Sequence, residues 1–372
     1  MDFSEEESEK TQILIHLDLP MLLTSLSIPQ KASFSPNLQN TFQTFQQTQQ
    51  IPLIESPDSL QTPESILGIT KLLNTQNFQD IELIGKGGFG LVFKARNSIR
   101  NEIVALKLQV TFKEEEAGGQ EEANLGKFLS KKVAENLKSK TLSIYSKISI
   151  KDPQGKFVLT IIEMELAKYS LRDLINIRRS EKKPFTTKEL KKICFDLLEN
   201  LYYIHLNNIA HFDIKPENVL FINMNESYIL ADFGISEEIP QNLSSDGLFL
   251  TPMKGSVLYM SPKMRDSWWS MKPIVTHDPF KSDIYSLGLI FFELNTVASL
   301  TEEEFSNLIK TRDEAYNKLL ARNPMYLTFN YLFHEEECYK IPNILNLMLA
   351  EKEEDRKDIV EICLVCDLIE PI

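Results

Sequence analysis

The order of secondary-structure patterns along the chain constrains its fold more than any other feature. Between residues 81 and 164, apolar residues come in short runs separated by turns, which is typical of strands. After residue 186 the apolar spacing is mainly helical, over 187–206, 281–295, 301–321 and 341–366. A sheet-forming part followed by a helix-forming part indicates an α+β fold with two lobes.

The composition narrows the class of protein and its compartment. The 372 residues are 42% hydrophobic and 25% charged, as in globular proteins, and their formal net charge of −13 argues against nucleic-acid binding. Four cysteines are too few for a disulfide framework, so a reducing compartment is expected, the cytoplasm first and the nucleus second. The acidic start is unlike a signal peptide, and Ile13–Ile28 is interrupted by Asp18 and Pro20, so no membrane span is predicted.

The first 77 residues differ in composition from the rest of the chain. Residues 30–50 contain seven Gln and several Thr and Ser, and Ser56-Pro57 and Thr62-Pro63 follow. Such sequence buries too little apolar area to offset the entropy lost on ordering. Residues 1–77 are therefore predicted to be a mostly disordered arm and residues 78–372 to form the folded domain. For Ile13–Leu26, a partly collapsed tail is favoured over a docking helix, because Pro20 interrupts it.

The sheet-forming part contains patterns for five strands and one helix. The helix is predicted within 114–138, where apolar residues recur at helical spacing. The strands are predicted at Ile81–Ile84, Leu91–Ala95, Ile103–Leu108, Leu142–Ile150 and Phe157–Met164.

A glycine-rich segment lies between the first two of these strands. Residues 84–92 read Ile-Gly-Lys-Gly-Gly-Phe-Gly-Leu-Val, and the glycines allow backbone N–H groups to approach phosphates. A structural glycine turn is the alternative, but a dinucleotide-binding motif is excluded because the chain continues as a strand and not as a helix. Lys107 follows Gly90 by seventeen residues, within an apolar strand, where it needs solvent or an anionic partner. After such a loop, a phosphate-binding role for Lys107 is favoured.

The most specific pattern is a run of polar residues at 211–220, His-Phe-Asp-Ile-Lys-Pro-Glu-Asn-Val-Leu. Asp213 and Asn218 are five residues apart, and Asp232-Phe233-Gly234 begins fourteen residues after Asn218. Carboxylate and amide oxygens on two neighbouring loops suit Mg²⁺. Each residue alone is compatible with a turn or a helix cap, but the set in this order is specific.

These motifs together resemble the catalytic domain of eukaryotic protein kinases of the serine/threonine type, over residues 78–372. The resemblance implies a bilobal fold with an antiparallel sheet in the N-lobe, about 78–164, and a helical C-lobe, about 165–372. It also implies transfer of the γ-phosphate of ATP, with Mg²⁺, to Ser or Thr hydroxyls of protein substrates. Asp213 matches the catalytic aspartate, Lys215 the lysine that steadies the transferred phosphate, and Asn218 and Asp232 the metal ligands.

The resemblance also implies a nucleotide site. Lys107 matches the lysine that holds the α- and β-phosphates, and Met164 the gatekeeper before a hinge that offers backbone groups to adenine. The implied nucleotide-binding residues are Ile84, Gly85, Lys86, Gly87, Gly88, Phe89, Gly90, Leu91, Val92, Ala105, Lys107, Met164, Glu165, Leu166, Ala167 and Leu220.

The glutamate that pairs with Lys107 in the family has three candidates here. An apolar residue is expected four positions after it, on the same helix face. Glu121 is followed at that distance by Leu125, whereas Glu122 and Glu135 are followed by Gly126 and Ser139. Glu121 is therefore the preferred partner.

The chain departs from the family at two positions. Phe212 replaces the arginine that pairs with a phosphorylated loop, so that phosphate switch is expected to be lost, and an aromatic ring there can pack beneath the loop. Lys263 replaces the glutamate that pairs with the late arginine, here Arg356, so that ion pair must be lost or rearranged. Loop hydroxyls remain available as phosphate acceptors, at Ser244, Ser245, Thr251 and Ser256.

Further interpretations concern the substrates, two rival functions, and the cysteines and histidines. Glu217 and Glu293 occupy positions where some kinases bind basic residues before the acceptor, which favours basic substrates. A pseudokinase that binds nucleotide or partners is the alternative, disfavoured because the phosphate- and metal-handling set is complete; a small-molecule kinase is disfavoured by the long segment 235–260. Cys363 and Cys366, and the histidines His205 and His277, are interpreted as structural.

Overall fold

The computed structural model describes residues 16–17, 62–87, 90–112, 142–151, 157–222, 226–240, 249–311, 344–366 and 368. They divide into two compact units. The first contains the described residues up to 112 together with Ser143–Leu166, and the second contains Leu142 and the described residues from Ala167 onward. Because the first is built on a sheet and the second is mainly helical, the predicted α+β fold is confirmed. Among helices in the described ranges, none combines the length and apolar character that a membrane crossing requires.

The sheet of the first unit contains all five predicted strands. Its strands in the described residues are β1 His16–Leu17, β2 Phe78–Gly87, β3 Gly90–Asn97, β4 Glu102–Phe112, β5 Ile144–Lys151 and β6 Phe157–Glu165. Five of them pair antiparallel in the order β5-β6-β4-β3-β2, and the short β1 pairs in parallel with β5. Leu91, Phe93, Leu106 and Leu108 are buried in its core.

A helix, α1 (Pro63–Thr75), lies inside the stretch assigned from the sequence to the disordered arm. The Thr62 hydroxyl caps it by accepting the Ser65 N–H at 3.2 Å, and proline occupies its first turn. Ile69 and Leu73 are buried in one cluster with Phe78 and the sheet core. The arm prediction is therefore wrong for these residues. Apart from His16–Leu17, residues 1–61 lie outside the described part of the chain, as does the predicted helix 114–138.

Burial of α1 predicts that it stabilises the first unit. Leu73→Ala should lower the free energy of unfolding by about 2–5 kcal/mol, because the side chain is fully buried and its removal leaves a cavity. Leu67→Ala is the matched control on the same helix, since Leu67 is 57% exposed, and should change stability by less than about 0.5 kcal/mol. Urea unfolding measures both. Equal midpoints for the two variants would show that α1 adds no packing energy.

The second unit surrounds a helical core with short strands. Its helices are α2 Leu171–Ser180, α3 Thr187–Leu206, α4 Pro262–Trp269, α5 Pro279–Thr296, α6 Glu302–Thr311, α7 Ile344–Met348 and α8 Ile359–Val365. Its strands are β7 Tyr169–Ser170, β8 Ile209–Ala210, β9 Val219–Ile222, β10 Ser227–Leu230, β11 Glu237–Glu238, β12 Phe249–Pro252 and β13 Ile274–His277. Single 3₁₀ turns lie at Pro216–Asn218, Val257–Tyr259 and Glu353–Asp355.

Local sequence signals explain where the long helices begin. Thr186 and Glu189 form a reciprocal capping box at the start of α3, and Asp278 accepts the Lys281 N–H at 3.1 Å at the start of α5. The predicted helix 341–366 is wrong as one element, because α7 ends at Met348 and α8 begins at Ile359. The predicted helix 301–321 is described only to Thr311.

Candidate active site

Asp213 is the centre of a compact hydrogen-bonded group in the second unit. Its carboxylate is 3% exposed and accepts the Ser256 hydroxyl at 2.6 Å on Oδ1 and the Lys215 ammonium at 2.7 Å on Oδ2. Lys215 Nζ also donates to Ser256 Oγ at 2.8 Å. A carboxylate, an ammonium and an aliphatic hydroxyl are thus in mutual contact, which is the geometry for proton transfer from a hydroxyl to a charge-stabilised base.

The segment that carries Asp213 is fixed by a buried carboxylate on α5. Asp283, 1% exposed, accepts the backbone N–H groups of His211 at 2.7 Å and Phe212 at 2.9 Å. These bonds hold Phe212 at φ 66, a left-handed conformation that non-glycine residues rarely adopt. His205 Nε2 lies 3.1 Å from the same carboxylate.

His211 links the segment that carries Asp213 to the Asp232-Phe233-Gly234 motif. Its Nδ1 accepts the Asp213 N–H at 3.3 Å, so Nε2 carries the proton and donates to the Ala231 carbonyl at 3.1 Å. Asn218 adds a second link, because its backbone carbonyl accepts the Ala231 N–H at 2.8 Å. The residue before Asp232 is therefore bonded from both sides by the segment that carries Asp213.

Asn218 and Asp232 present the oxygen atoms expected of a magnesium site. The Asn218 amide nitrogen donates to the Asp213 backbone carbonyl at 2.8 Å and carboxylate at 2.9 Å, so the amide oxygen is the Asn218 side-chain atom that could bind a cation. Asp232 adds a carboxylate and has φ 65. An amide oxygen and a carboxylate are ligands that Mg²⁺ prefers, so the donor chemistry fits this metal.

The phosphate-binding candidates lie in the first unit. Gly85, Lys86 and Gly87 pair across β2 and β3 with Val92, Leu91 and Gly90, so the glycine segment is the end of a hairpin. Gly90 has φ 122, and a Cβ there would lie 1.8 Å from the Leu108 carbonyl oxygen, so only glycine fits. Lys107 is half-buried on β4, an interior strand of the sheet that pairs with both β3 and β6.

The remaining nucleotide candidates lie on both sides of the division between the units. Ile84, Ala105 and Met164 are on strands of the first unit, and Leu220 is on β9 of the second. The Glu165 N–H donates to the Ser143 carbonyl at 2.8 Å, and Leu166 and Ala167 follow with half-buried side chains. Gly88, Phe89 and Glu121 lie outside the described residues, so the pairing of Lys107 with Glu121 stays a prediction.

Comparison with known proteins identifies the family. The sequence profile described as "Protein kinase domain" matches residues 78–366, most of the chain. The chain belongs to the protein kinase family. Among curated proteins, "Cyclin-dependent kinase G1" of Arabidopsis thaliana is 27% identical over 321 residues, covering 80% of this chain and 50% of that protein. "Serine/threonine-protein kinase 36" of Pongo abelii is 27% identical over 226 residues, covering 59% of this chain and 15% of that protein. The kinase thus spans half or less of the length of these relatives.

The ring of Phe212, the residue before Asp213, contacts a lysine of the kinase domain. Lys254 Nζ lies 4.0 Å from the centre of the Phe212 ring, in a cation–π contact, and also forms an ion pair with Glu237 on β11. Gly255, next to Lys254, has φ 98, and a Cβ there would lie 2.4 Å from the Phe212 carbonyl oxygen. The ring therefore packs against the loop that leads to Ser256, as predicted for an aromatic residue.

The ion pair of the kinase family at position 263 is rearranged, as predicted. Lys263 Nζ bonds Glu353 Oε2 at 3.0 Å instead of meeting Arg356. Arg356 is 1% exposed and donates to the backbone carbonyls of Ala350 at 2.7 Å, Lys281 at 3.1 Å and Glu351 at 3.1 Å. Each of the two positive charges thus has partners of its own.

Glu293 has a different role from the one predicted. It is buried on α5, and its carboxylate accepts hydrogen bonds from Arg172 and Arg179, both on α2, at 2.7 Å each. A basic substrate residue cannot reach a carboxylate that is already enclosed by the chain's own arginines, so the prediction of a substrate contact at Glu293 is wrong. The two acidic residues were visible in the sequence, but nothing there indicated that Arg172 pairs with a residue 121 positions away.

The cysteines and histidines set aside from the sequence are structural in the described residues. Cys194, Cys363 and Cys366 are free thiols and buried. Burial raises the pKa of the Cys363 thiol to about 12, which keeps it protonated and unreactive. His277 is buried with Nδ1 at 2.7 Å from the Ser282 hydroxyl, and desolvation lowers its pKa to about 4.

Proposed function

We propose that this kinase transfers the γ-phosphate of ATP, with Mg²⁺, to serine and threonine hydroxyls of protein substrates. One observation carries the proposal. The Ser256 hydroxyl donates to the Asp213 carboxylate at 2.6 Å and accepts from Lys215 at 2.8 Å, so a serine hydroxyl already fits between the base and the ammonium. A substrate hydroxyl that takes part in the same group meets a proton acceptor and a positive charge at once.

The position of each candidate residue supports a specific role in phosphate transfer. Asp213 orients the acceptor hydroxyl and takes its proton, and Lys215 offsets charge that develops on the transferred phosphate. Lys107 and the N–H groups of the glycine hairpin hold the ATP phosphates, while the implied adenine contacts lie near Met164. Bound at Asn218 and Asp232, Mg²⁺ would supply neutralisation of phosphate charge.

The test is phosphate transfer from labelled ATP to a degenerate peptide library, followed by phosphoamino-acid analysis. We expect phosphoserine and phosphothreonine, because Ser256 and Lys215 favour an aliphatic acceptor. Mainly phosphotyrosine on exogenous peptides would overturn the residue specificity. No transfer to any peptide, with ATP binding retained, would support the pseudokinase alternative instead. The three buried free thiols support a reducing, cytoplasmic location for this activity, with the nucleus as the second candidate.

The contact between Lys254 and Phe212 predicts activity without loop phosphorylation. A lysine that is already paired with Glu237 and stacked on the ring does not need a phosphate to neutralise it. Thr251, a candidate acceptor, is fully buried on β12 and therefore closed to a modifying enzyme. Phosphatase-treated protein should keep its turnover within about tenfold, or about 1.4 kcal/mol of barrier, against a fixed peptide.

The variant Phe212→Arg, in contrast, is expected to depend on loop phosphorylation for its activity. An arginine at this position would stand against Lys254, so the variant should lose more than about tenfold of its turnover when free of phosphate. A hundredfold loss in phosphatase-treated wild type, restored by rephosphorylation, would show that a phosphate switch operates without the arginine. Mass spectrometry of the treated protein confirms that phosphate has been removed.

A further inference from the structure

A cluster of two arginines, two glutamates and a tyrosine lies beside the segment that carries Asp213. We call it the Arg172 cluster; its members are Arg172, Arg179, Glu217, Tyr259 and Glu293. Arg172 donates from Nη1 to Glu293 at 2.7 Å, from Nε to Glu217 at 2.9 Å and from Nη2 to the Tyr259 hydroxyl at 2.5 Å. Arg179 Nη2 donates to Glu293 at 2.7 Å, and the Tyr259 hydroxyl to Glu293 at 2.6 Å.

The chain places this cluster next to the acceptor position. Glu217 follows Asp213 by four residues, within the 3₁₀ turn Pro216–Asn218, and Tyr259 follows Ser256 by three. Since Ser256 and Asp213 are in contact, the Arg172 cluster is bonded to both segments that form the proposed acceptor site. A charge in the cluster therefore acts on residues of a bound peptide.

The cluster is electrically balanced without a ligand. Two guanidinium groups face two carboxylates, and the side chains of Arg172 and Glu293 are only 12% and 1% exposed. Burial, the largest single effect, would lower the pKa of Arg172, but the interactions with Glu293, Tyr259 and Glu217 together outweigh it, so the pKa is raised and the arginine stays charged. Glu217 is the member that solvent reaches, at 46% exposure, and Arg172 already neutralises it.

We infer that Arg172 fills the acidic site formed by Glu217 and Glu293 beside the acceptor position. This kinase therefore phosphorylates substrates without selecting a basic residue upstream of the target hydroxyl. The inference rests on the proposed function and names its substrate class. An incoming peptide arginine meets the positive charge of Arg172 as well as the carboxylate of Glu217, so the two interactions oppose each other. Arg172 is thus a specificity-determining residue and takes no part in the chemistry.

The experiment is a positional-scanning peptide assay with four proteins. Wild type should show no selection for arginine at any position before the acceptor. Arg172→Ser uncovers Glu217 and opens space, so it should raise kcat/KM for peptides with arginine at one upstream position by about fivefold, as an ion pair of about 1 kcal/mol gives. Arg172→Ser with Glu217→Gln should lose that gain. Arg178→Ser is the matched control on α2, because Arg178 pairs with Glu189 outside the cluster.

The outcomes separate this inference from the proposed function. A wild-type enzyme that phosphorylates the library but prefers an upstream arginine by fivefold overturns the inference without any variant. A folded Arg172→Ser protein with an unchanged profile overturns it too. If no protein in the set phosphorylates any peptide, the proposed function itself fails. The wild-type profile decides the matter even where Arg172→Ser does not fold.

Discussion

Asp213→Asn should lower phosphate transfer by about a hundredfold to ten-thousandfold. The substitution keeps the size of the side chain but removes the proton acceptor, and general-base catalysis contributes a factor of this size. The new amide also places an N–H group toward either the Ser256 hydroxyl or the Lys215 ammonium, whose present contacts with Asp213 are 2.6 Å and 2.7 Å long. Initial rates with labelled ATP and a serine peptide measure the effect.

The control for this prediction is Asp266→Asn, which removes a carboxylate from the exposed face of α4. Its rate should equal that of wild type. ATP binding by Asp213→Asn should also remain, because the proposed phosphate contacts come from Lys107 and the glycine hairpin. A folded Asp213→Asn protein with a wild-type rate would remove Asp213 from the chemistry, and with it the proposed mechanism.

Asp283→Ala should be the variant that damages stability and activity together. Its carboxylate accepts the N–H groups of His211 and Phe212 and contacts His205; Asp283 and His211 are buried, and Phe212 and His205 are half-buried. Removing a charged acceptor leaves buried donors without partners, at about 1–3 kcal/mol for each. We expect a loss of about 3 kcal/mol or more in the free energy of unfolding.

Activity should fall for a separate reason. Phe212 adopts φ 66, which is unfavourable for a non-glycine residue by about 1–2 kcal/mol, and the bond to Asp283 maintains it. Without that bond the segment relaxes and Asp213 moves away from Ser256. Asp283→Asn, which keeps one acceptor oxygen, should lie between Asp283→Ala and wild type in urea midpoint and in rate. Identical behaviour of the two variants would argue against hydrogen bonding as the cause.

The parts of the site that lie within one short segment could be predicted from the sequence. Asp213, Lys215 and Asn218 are fixed by their spacing, because five residues of chain leave few ways to place them. Contacts between distant residues could not be predicted in the same way. Arg172 looks like any charged helix residue until the fold places it 2.7 Å from Glu293, and Lys254 gives no sign of lying on Phe212.

The errors in the fold prediction have physical causes as well. Thr62-Pro63 is typical of a disordered segment, yet a hydroxyl followed by proline also begins a helix, and the buried side chains of Ile69 and Leu73 decide between the two. The helix predicted over 341–366 ignored Arg356. This buried guanidinium is satisfied by the carbonyls of Ala350 and Glu351, which a continuous helix would use for its own bonds.

The exchanged ion pair between Lys263 and Glu353 limits how freely segments can be swapped between this protein and other kinases. A chimera that imports the usual glutamate at position 263 would set two carboxylates against each other, at a site where Glu353 is 10% exposed in its side chain. In the reverse chimera, Lys263 is transferred alone into another kinase, where it would lie near the buried arginine that the family's glutamate normally pairs with. Only a graft that carries positions 263 and 353 together preserves the charge match, so the two segments that hold this ion pair must be transplanted as a pair.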